Sequence, residues 1–158
     1  MPASFIKHRI LLPIRSQITR GADPDDLSRA FACGVVCGVF PILGTTGIVG
    51  TLFGLIFGLN QAVIHALHWL LYPAHVALIP VYIRVGERLF GADPIPFSIP
   101  DALRLFLNSP AAFFAEFGMS CIHCVSAWAM TTPAIALVVY LICRPMIRRA
   151  TEKFTSPP

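Results

Sequence analysis

Between Ala30 and Ile83 lie 54 consecutive residues without a single Asp, Glu, Lys or Arg, and a second uncharged stretch runs for 27 residues from Phe117 to Cys143. A helix needs about 20 apolar residues to cross the hydrocarbon core of a bilayer, so the first stretch holds two crossings or their equivalent and the second holds one. The charges are confined to what remains. Residues 1–29 carry five basic and three acidic groups, 84–116 three and four, and 144–158 four and one. A chain that is 56% hydrophobic and 13% charged falls well short of the roughly 25% charged residues of a soluble domain. The fold class this predicts is an all-α integral membrane protein: a broken or re-entrant helix pair, about two transmembrane helices, and short interfacial helices.

The net charge of +4 does not point to nucleic acid, because the basic groups flank apolar segments and form no independent patch with interleaved aromatics. They read as anchors for lipid headgroups. In the basic segment 1–22, residues 5–20 mix apolar and basic positions, as in a short helix lying in the headgroup plane, and Lys7, His8 and Arg9 lead into too short an apolar run for a cleavable signal peptide. Residues 23–90 form the hydrophobic core, 91–116 an extramembrane loop with a short amphipathic helix and a second helix start at Ser109–Pro110, which leads into 117–146, a C-terminal transmembrane helix kinked near Pro133, and 147–158 form a basic tail. With both termini cytoplasmic, nine of the twelve Lys and Arg residues fall on the inner side of an inner membrane, as the positive-inside rule prefers.

Within the first uncharged stretch, "ADPDDLSRAF" opens a helix with Asp23 as N-cap, Pro24 at the first helical position and acids in the first turn. That helix runs to about Val39 and cannot pass Pro41, which lacks a donor and is followed by Gly44, Thr45, Thr46 and Gly47. A second helix resumes at Thr45 or Thr46 and continues to Gly58, with Asn60 as a stop signal. Each half is roughly 18 Å long at 1.5 Å per residue, too short to cross alone. Gly34 and Gly38 on the first half, and Gly50, Gly54 and Gly58 on the second, form small-residue faces of the kind that let helices approach closely in lipid. Residues 61–83 form the next span, interrupted at Tyr72–Pro73 and at Pro80.

Two half-helices meeting at membrane depth expose backbone N–H groups at the start of the second. Gly44, Thr45, Thr46 and Gly47 are therefore a candidate site for a phosphate or carboxylate, with Arg20 and Arg29 drawing an anionic headgroup towards it. The alternative is a packed kink whose threonine hydroxyls bond back to carbonyls one turn earlier. His65, His68 and His75 fall within one 60° sector of an ideal helix and invite comparison with a metal site or proton path, but no carboxylate accompanies them, and neutral imidazoles bonded to neighbouring backbone or sitting at an interface are the preferred reading. Cys121-Ile-His-Cys124 has redox spacing without the context of a redox motif, and with Cys33, Cys37 and Cys143 reads as small apolar packing. No nucleophile elbow, phosphate loop, HExxH or carboxylate pair is present. No enzyme, cofactor or metal site is expected.

Arg29–Ala30, Cys33–Gly34, Gly38-Val39-Phe40-Pro41, Gly44, Gly58-Leu59-Asn60 and Tyr72–Pro73 together resemble the bacterial family of domain of unknown function 2062, over about residues 24–90. Two positions depart from the family pattern: Tyr72 stands where Asn usually precedes the proline, and Thr46–Gly47 stand where Gln-Thr often follows the glycine. The resemblance implies a bacterial inner-membrane protein, sometimes joined to glycosyltransferases. It leaves two expectations open. One is a membrane protein that binds or moves an anionic lipid or phosphate-bearing carrier in envelope biogenesis. The other is an assembly partner whose glycine faces hold another membrane protein, such as a glycosyltransferase, or a second copy of itself.

Overall fold

The Asp23 carboxylate accepts the Asp25 backbone N–H at 3.0 Å, and Pro24 occupies the first helical position, so the chain enters helix α1 (Pro24–Gly38) as its sequence dictates. The computed structural model describes residues 23–94 and 98–155, which leaves the basic segment 1–22, with Arg20, outside the described residues. Beyond α1 come four further helices: α2 (Thr46–Ile56), α3 (Gln61–Phe90), α4 (Ile99–Asn108) and α5 (Pro110–Thr155). All regular structure among the described residues is helical. Two helices, α3 and the Pro110–Glu152 part of α5, are long and apolar enough to cross a membrane, with mean hydropathies of 1.5 and 1.8 over their most apolar windows.

The break between α1 and α2 falls where Pro41 requires it. A continued helix would bond the Cys37 carbonyl to the N–H of residue 41, which proline lacks, and the Phe40 N–H takes that carbonyl instead at 3.2 Å. The Val36 carbonyl, which would have accepted the Phe40 N–H, is met by the Trp128 indole N–H of α5 at 2.9 Å. A residue 92 positions away in sequence thus closes the end of the broken helix. Gly44 turns the chain back with φ +79°, a conformation that costs glycine little and other residues much.

The α2–α3 turn is similar in kind. Gly58 adopts φ +63°, and Asn60 begins α3, its side chain accepting the N–H groups of Ala62 and Val63 at 3.1 and 3.3 Å. Asn60 is therefore a start signal, and the helix before it ends at Ile56. Pro73 and Pro80 do not interrupt α3, which passes through both. Pro73 is followed by Ala74, His75 and Val76, which continue a helix, whereas Pro41 is followed by glycines and threonines. The lone missing donor costs one bond without offering the chain another path. Likewise α5 passes through Pro133 and Pro145 and carries the basic tail as far as Thr155 in one helix.

α3 is the central packing partner of the hairpin. A methyl group placed on Gly34 would lie 2.8 Å from Leu67 Cδ1 and 3.1 Å from the Ile64 Cα; on Gly38, 3.3 Å from Leu71 Cδ1; on Gly50, 3.0 Å from Ile64 Cγ2. Gly54 faces Gln61 and Ile64 in the same way, while Gly58 meets nothing and serves the turn alone. The two glycine faces expected to meet a neighbour thus both meet α3. These contacts set α1 and α3 parallel, with α2 folded back against the later turns of α1 and the start of α3. α5 runs antiparallel to α3 and closes the bundle at three heights: Gly86 against the backbone of His123–Cys124, Val36 against Trp128, and Asp25 against Arg144. The core at the middle height joins Val39, Ile79, Tyr82, Ile83, Ala127 and Trp128, with Phe40 edge-on to the Trp128 ring at 4.9 Å.

Candidate functional site

Gly38 packs on Leu71, so the break just after it lies level with the next residues of α3. There the loop Pro41–Thr45 forms the floor of a cavity of about 570 Å³, well within the range of small-molecule pockets. Tyr72, Val76, Ile79 and Ile83 supply one wall from a single face of α3. Phe113, Phe114, Phe117, Ser120, Cys121 and Cys124 supply the opposite wall from the first turns of α5. Ala102, Leu103, Phe106 and Leu107, the apolar face of α4, lie across the far end. Phe106 meets Phe113 edge-on at 5.3 Å and holds α4 against α5. The lining contains no Asp, Glu, Lys, Arg or His, and its polar side-chain atoms are the hydroxyls of Thr45, Tyr72 and Ser120 and the thiols of Cys121 and Cys124.

The residues singled out by sequence divide into two groups. Gly44 and Thr45 line the cavity, but the Thr45 hydroxyl donates to the Ile42 carbonyl at 2.9 Å, the same carbonyl the Thr45 N–H reaches at 3.4 Å. Thr46 is buried and Gly47 stands in open space, and neither lines the cavity. Arg29 is not brought to this place. It precedes Gly38 by nine residues, roughly 14 Å along α1 at 1.5 Å per residue, and lies on a separate groove of about 410 Å³ between α1, α2 and α5, beside Cys33, Phe57 and Tyr140. Its guanidinium is 3.6 Å from Asp26 and largely exposed. The glycine-threonine turn and its expected cation are therefore separate features. Tyr72, grouped with Pro73 as a break, is instead part of the cavity wall.

At the α1 start, both Arg144 nitrogens Nε and Nη2 donate to Asp25, at 2.8 and 3.0 Å. The bidentate contact holds the Asp25 carboxyl below the ordinary aspartate value, the Arg144 hydrogen bond being the first cause and the surrounding arginine charges adding to it. At the opposite end Arg84 donates to the buried Glu87 at 2.7 Å.

Two residues that the sequence passes over matter here, Gly86 and Trp128, and one that it notices, His75. Gly86 is a lone glycine with no small-residue stripe around it, yet a methyl group on it would lie 2.6 Å from the His123 carbonyl carbon and oxygen; here two helix backbones are in contact. Trp128 caps a helix from the far end of the chain. His75, noticed for its spacing, is 1% exposed, and neither ring nitrogen has a hydrogen-bond partner among the described residues. An unmet buried donor or acceptor costs about 1–3 kcal/mol. His65, by contrast, reaches the Thr51 hydroxyl at 3.2 Å. Cys33 and Cys37 lie with their sulfurs 3.8 Å apart on one face of α1, and no group of three or more His, Cys, Asp or Glu among the described residues is placed to hold a metal ion.

Fold and site define a bundle of five helices among the described residues, two of them long and apolar enough to cross a membrane, with an apolar cavity at a helix break. The chain belongs to the family described as uncharacterized protein conserved in bacteria (DUF2062), which it matches over residues 4–155. The match extends beyond residues 24–90, which carry the motif resemblance, and takes in α4 and α5. No curated protein and no solved structure matches the chain.

Proposed function

We propose that this chain is a multi-spanning protein of the bacterial inner membrane that binds, and in envelope biogenesis moves, a phosphate-bearing lipid, holding the lipid's hydrocarbon chain in the cavity beside the helix break. The observation that carries this reading is the position of that cavity. From Gln61 to Tyr72 is eleven residues and from Tyr72 to Arg84 twelve, so the break stands roughly 17 Å from one end of the uncharged part of α3 and roughly 18 Å from the other. Half the hydrocarbon thickness of a bilayer is about 15 Å. A carbon-lined space reaching from mid-depth to an amphipathic helix matches the depth of one leaflet. Its floor is irregular backbone, tolerated at that depth because protein surrounds it.

Further support comes from what is exposed. Leu137, Val138, Leu141, Ile142 and Met146 are each more than half exposed along α5, and only 11% of that helix's most apolar window is buried, which suits lipid as the solvent and not water. In this arrangement α3 and α5 span, α1 and α2 form a re-entrant hairpin, and both ends of the described chain lie on the cytoplasmic side with Arg144, Arg148 and Arg149. The lipid's head lies at the α4 end, where Arg104 is largely exposed, comes no nearer to Asp101 than a long 3.9 Å, and can reach a phosphate oxygen. The role proposed is binding, since a lining of carbon with no Asp, Glu, Lys, Arg or His suits a hydrocarbon chain. The glycine faces that would have served a protein partner are occupied by α3.

Lipid retention tests this. Purified in mild detergent and weighed intact by native mass spectrometry, the protein carries a bound lipid, and Val76→Trp, which fills the cavity, lowers retention about tenfold or more, equivalent to roughly 1.4 kcal/mol. Equal retention by a folded Val76→Trp chain overturns the reading. Thr45→Val with Thr46→Val leaves retention unchanged, because one hydroxyl is already bonded inward and the other is buried.

A further inference from the structure

Gln61, His68 and His75 are spaced seven residues apart on α3, so they lie nearly in line on one face, drifting only about 20° per step. Each has a buried polar atom with no hydrogen-bond partner among the described residues: Gln61 Oε1, His68 Nδ1, and both ring nitrogens of His75. The row begins beside the start of α3, where Gln61 and His68 are half-buried, and ends at the fully buried His75, whose ring is 6.1 Å from the ring of Tyr72 on the cavity wall. Four unmet atoms on a single face are not four separate accidents of packing. Buried polar groups without protein partners are met by ordered water wherever the site is polar and two or more groups can share it.

We infer that internal water molecules, exchangeable with bulk, run along this face of α3 from Gln61 past His68 to His75. Metal ions and counter-ions are poor alternatives. No Asp, Glu, Lys or Arg occurs between Ala30 and Ile83 or between Phe117 and Cys143, which are the parts of α1, α2, α3 and α5 that enclose the row. A charged imidazole there would have no partner, whereas a neutral one needs a donor and an acceptor, and water supplies both. Immobilising a water costs less than leaving a buried imidazole nitrogen bare. The row thus places water at the same depth as the helix break and beside the cavity, on a route that the apolar lining itself does not provide. Hydration of the row is set by its own unmet hydrogen bonds and stands whether or not the cavity holds a lipid.

The test is water-edited solid-state NMR on the full chain in liposomes with 15N-labelled histidine and tryptophan. Trp128 supplies a dry internal reference, since its indole N–H is buried and already bonded to the Val36 carbonyl. Magnetisation from water reaches the His68 and His75 rings several times faster than the Trp128 indole if the row is hydrated. Transfer to His75 no faster than to Trp128 overturns the inference, whatever His68 does. The measurement is made on the unaltered protein, and His75→Phe serves only to assign the signal; should that variant not fold, His75→Gln or an assignment through Tyr72 contacts replaces it.

Discussion

Gly86 and Gly47 are both helical glycines, and the difference between them is purely one of surroundings. A methyl group on Gly86 strikes the backbone of His123, which cannot swing aside as a side chain could, while one on Gly47 meets nothing within 4 Å. Gly86→Ala is expected to destabilise the protein by about 1–3 kcal/mol through overpacking. Gly47→Ala is expected to be neutral or to stabilise by up to about 1 kcal/mol, because alanine has less freedom to lose in a helix. Thermal unfolding in detergent, followed by circular dichroism, separates the two. Trp128→Phe keeps the edge-on contact with Phe40 but removes the donor to Val36. The carbonyl left unmet costs about 1–3 kcal/mol, and the same melting experiment reads it.

Among the elements, the α1–α2 hairpin is the most legible in sequence and its neighbours the least. Asp23–Pro24 and the cluster from Pro41 to Gly47 are local signals, acting through caps, missing donors and left-handed turns within a few residues, and the helices begin and end where those signals stand. Pro73 resembles Pro41 only in isolation, since the residues on its C-terminal side decide whether the chain has another path. The cavity is not legible, because it is assembled from the loop, α3, α4 and α5, and no local pattern tells which faces will meet. Trp128 and Gly86 give no sequence signal for the same reason. The Asp25–Arg144 pair ties the first turn of α1 to α5 across 119 residues and carries a pH signature. With the folded Asp25 held below its unfolded value, the pair's contribution is fully present above about pH 4 and is lost as pH falls through the lower, folded value. Asp25→Asn is therefore expected to melt lower than the parent at neutral pH and to show a flatter acid limb, measured by melting temperature from pH 3 to 7.

At the scale of the whole molecule, the proposed arrangement puts the sidedness in the two ends of α3 and α5. Cysteines introduced at Asp93 and Ala150 in a cysteine-free chain are expected to react with a membrane-impermeant maleimide from opposite faces of the membrane, Ala150→Cys from the cytoplasmic one. Labelling of both from one face would remove the paired-span arrangement and with it the assignment of the cavity to a single leaflet. Family membership over residues 4–155 is visible by motif only in the first half, because motif residues cluster at the break while α4 and α5 are recognisable mainly by an apolar pattern many helices share.

The long C-terminal rod is pinned to its neighbours at three heights, by an ion pair, an indole and a bare glycine. Sliding it by a single helical turn, about 5.4 Å, would undo all three together, so the rod and the hairpin travel as one solid piece. The short amphipathic α4 packs chiefly on the first turns of that rod, held there by aromatic contacts such as Phe106 on Phe113. On the lipid-binding reading, a guest is therefore expected to enter past this small helix and not through the frame around it.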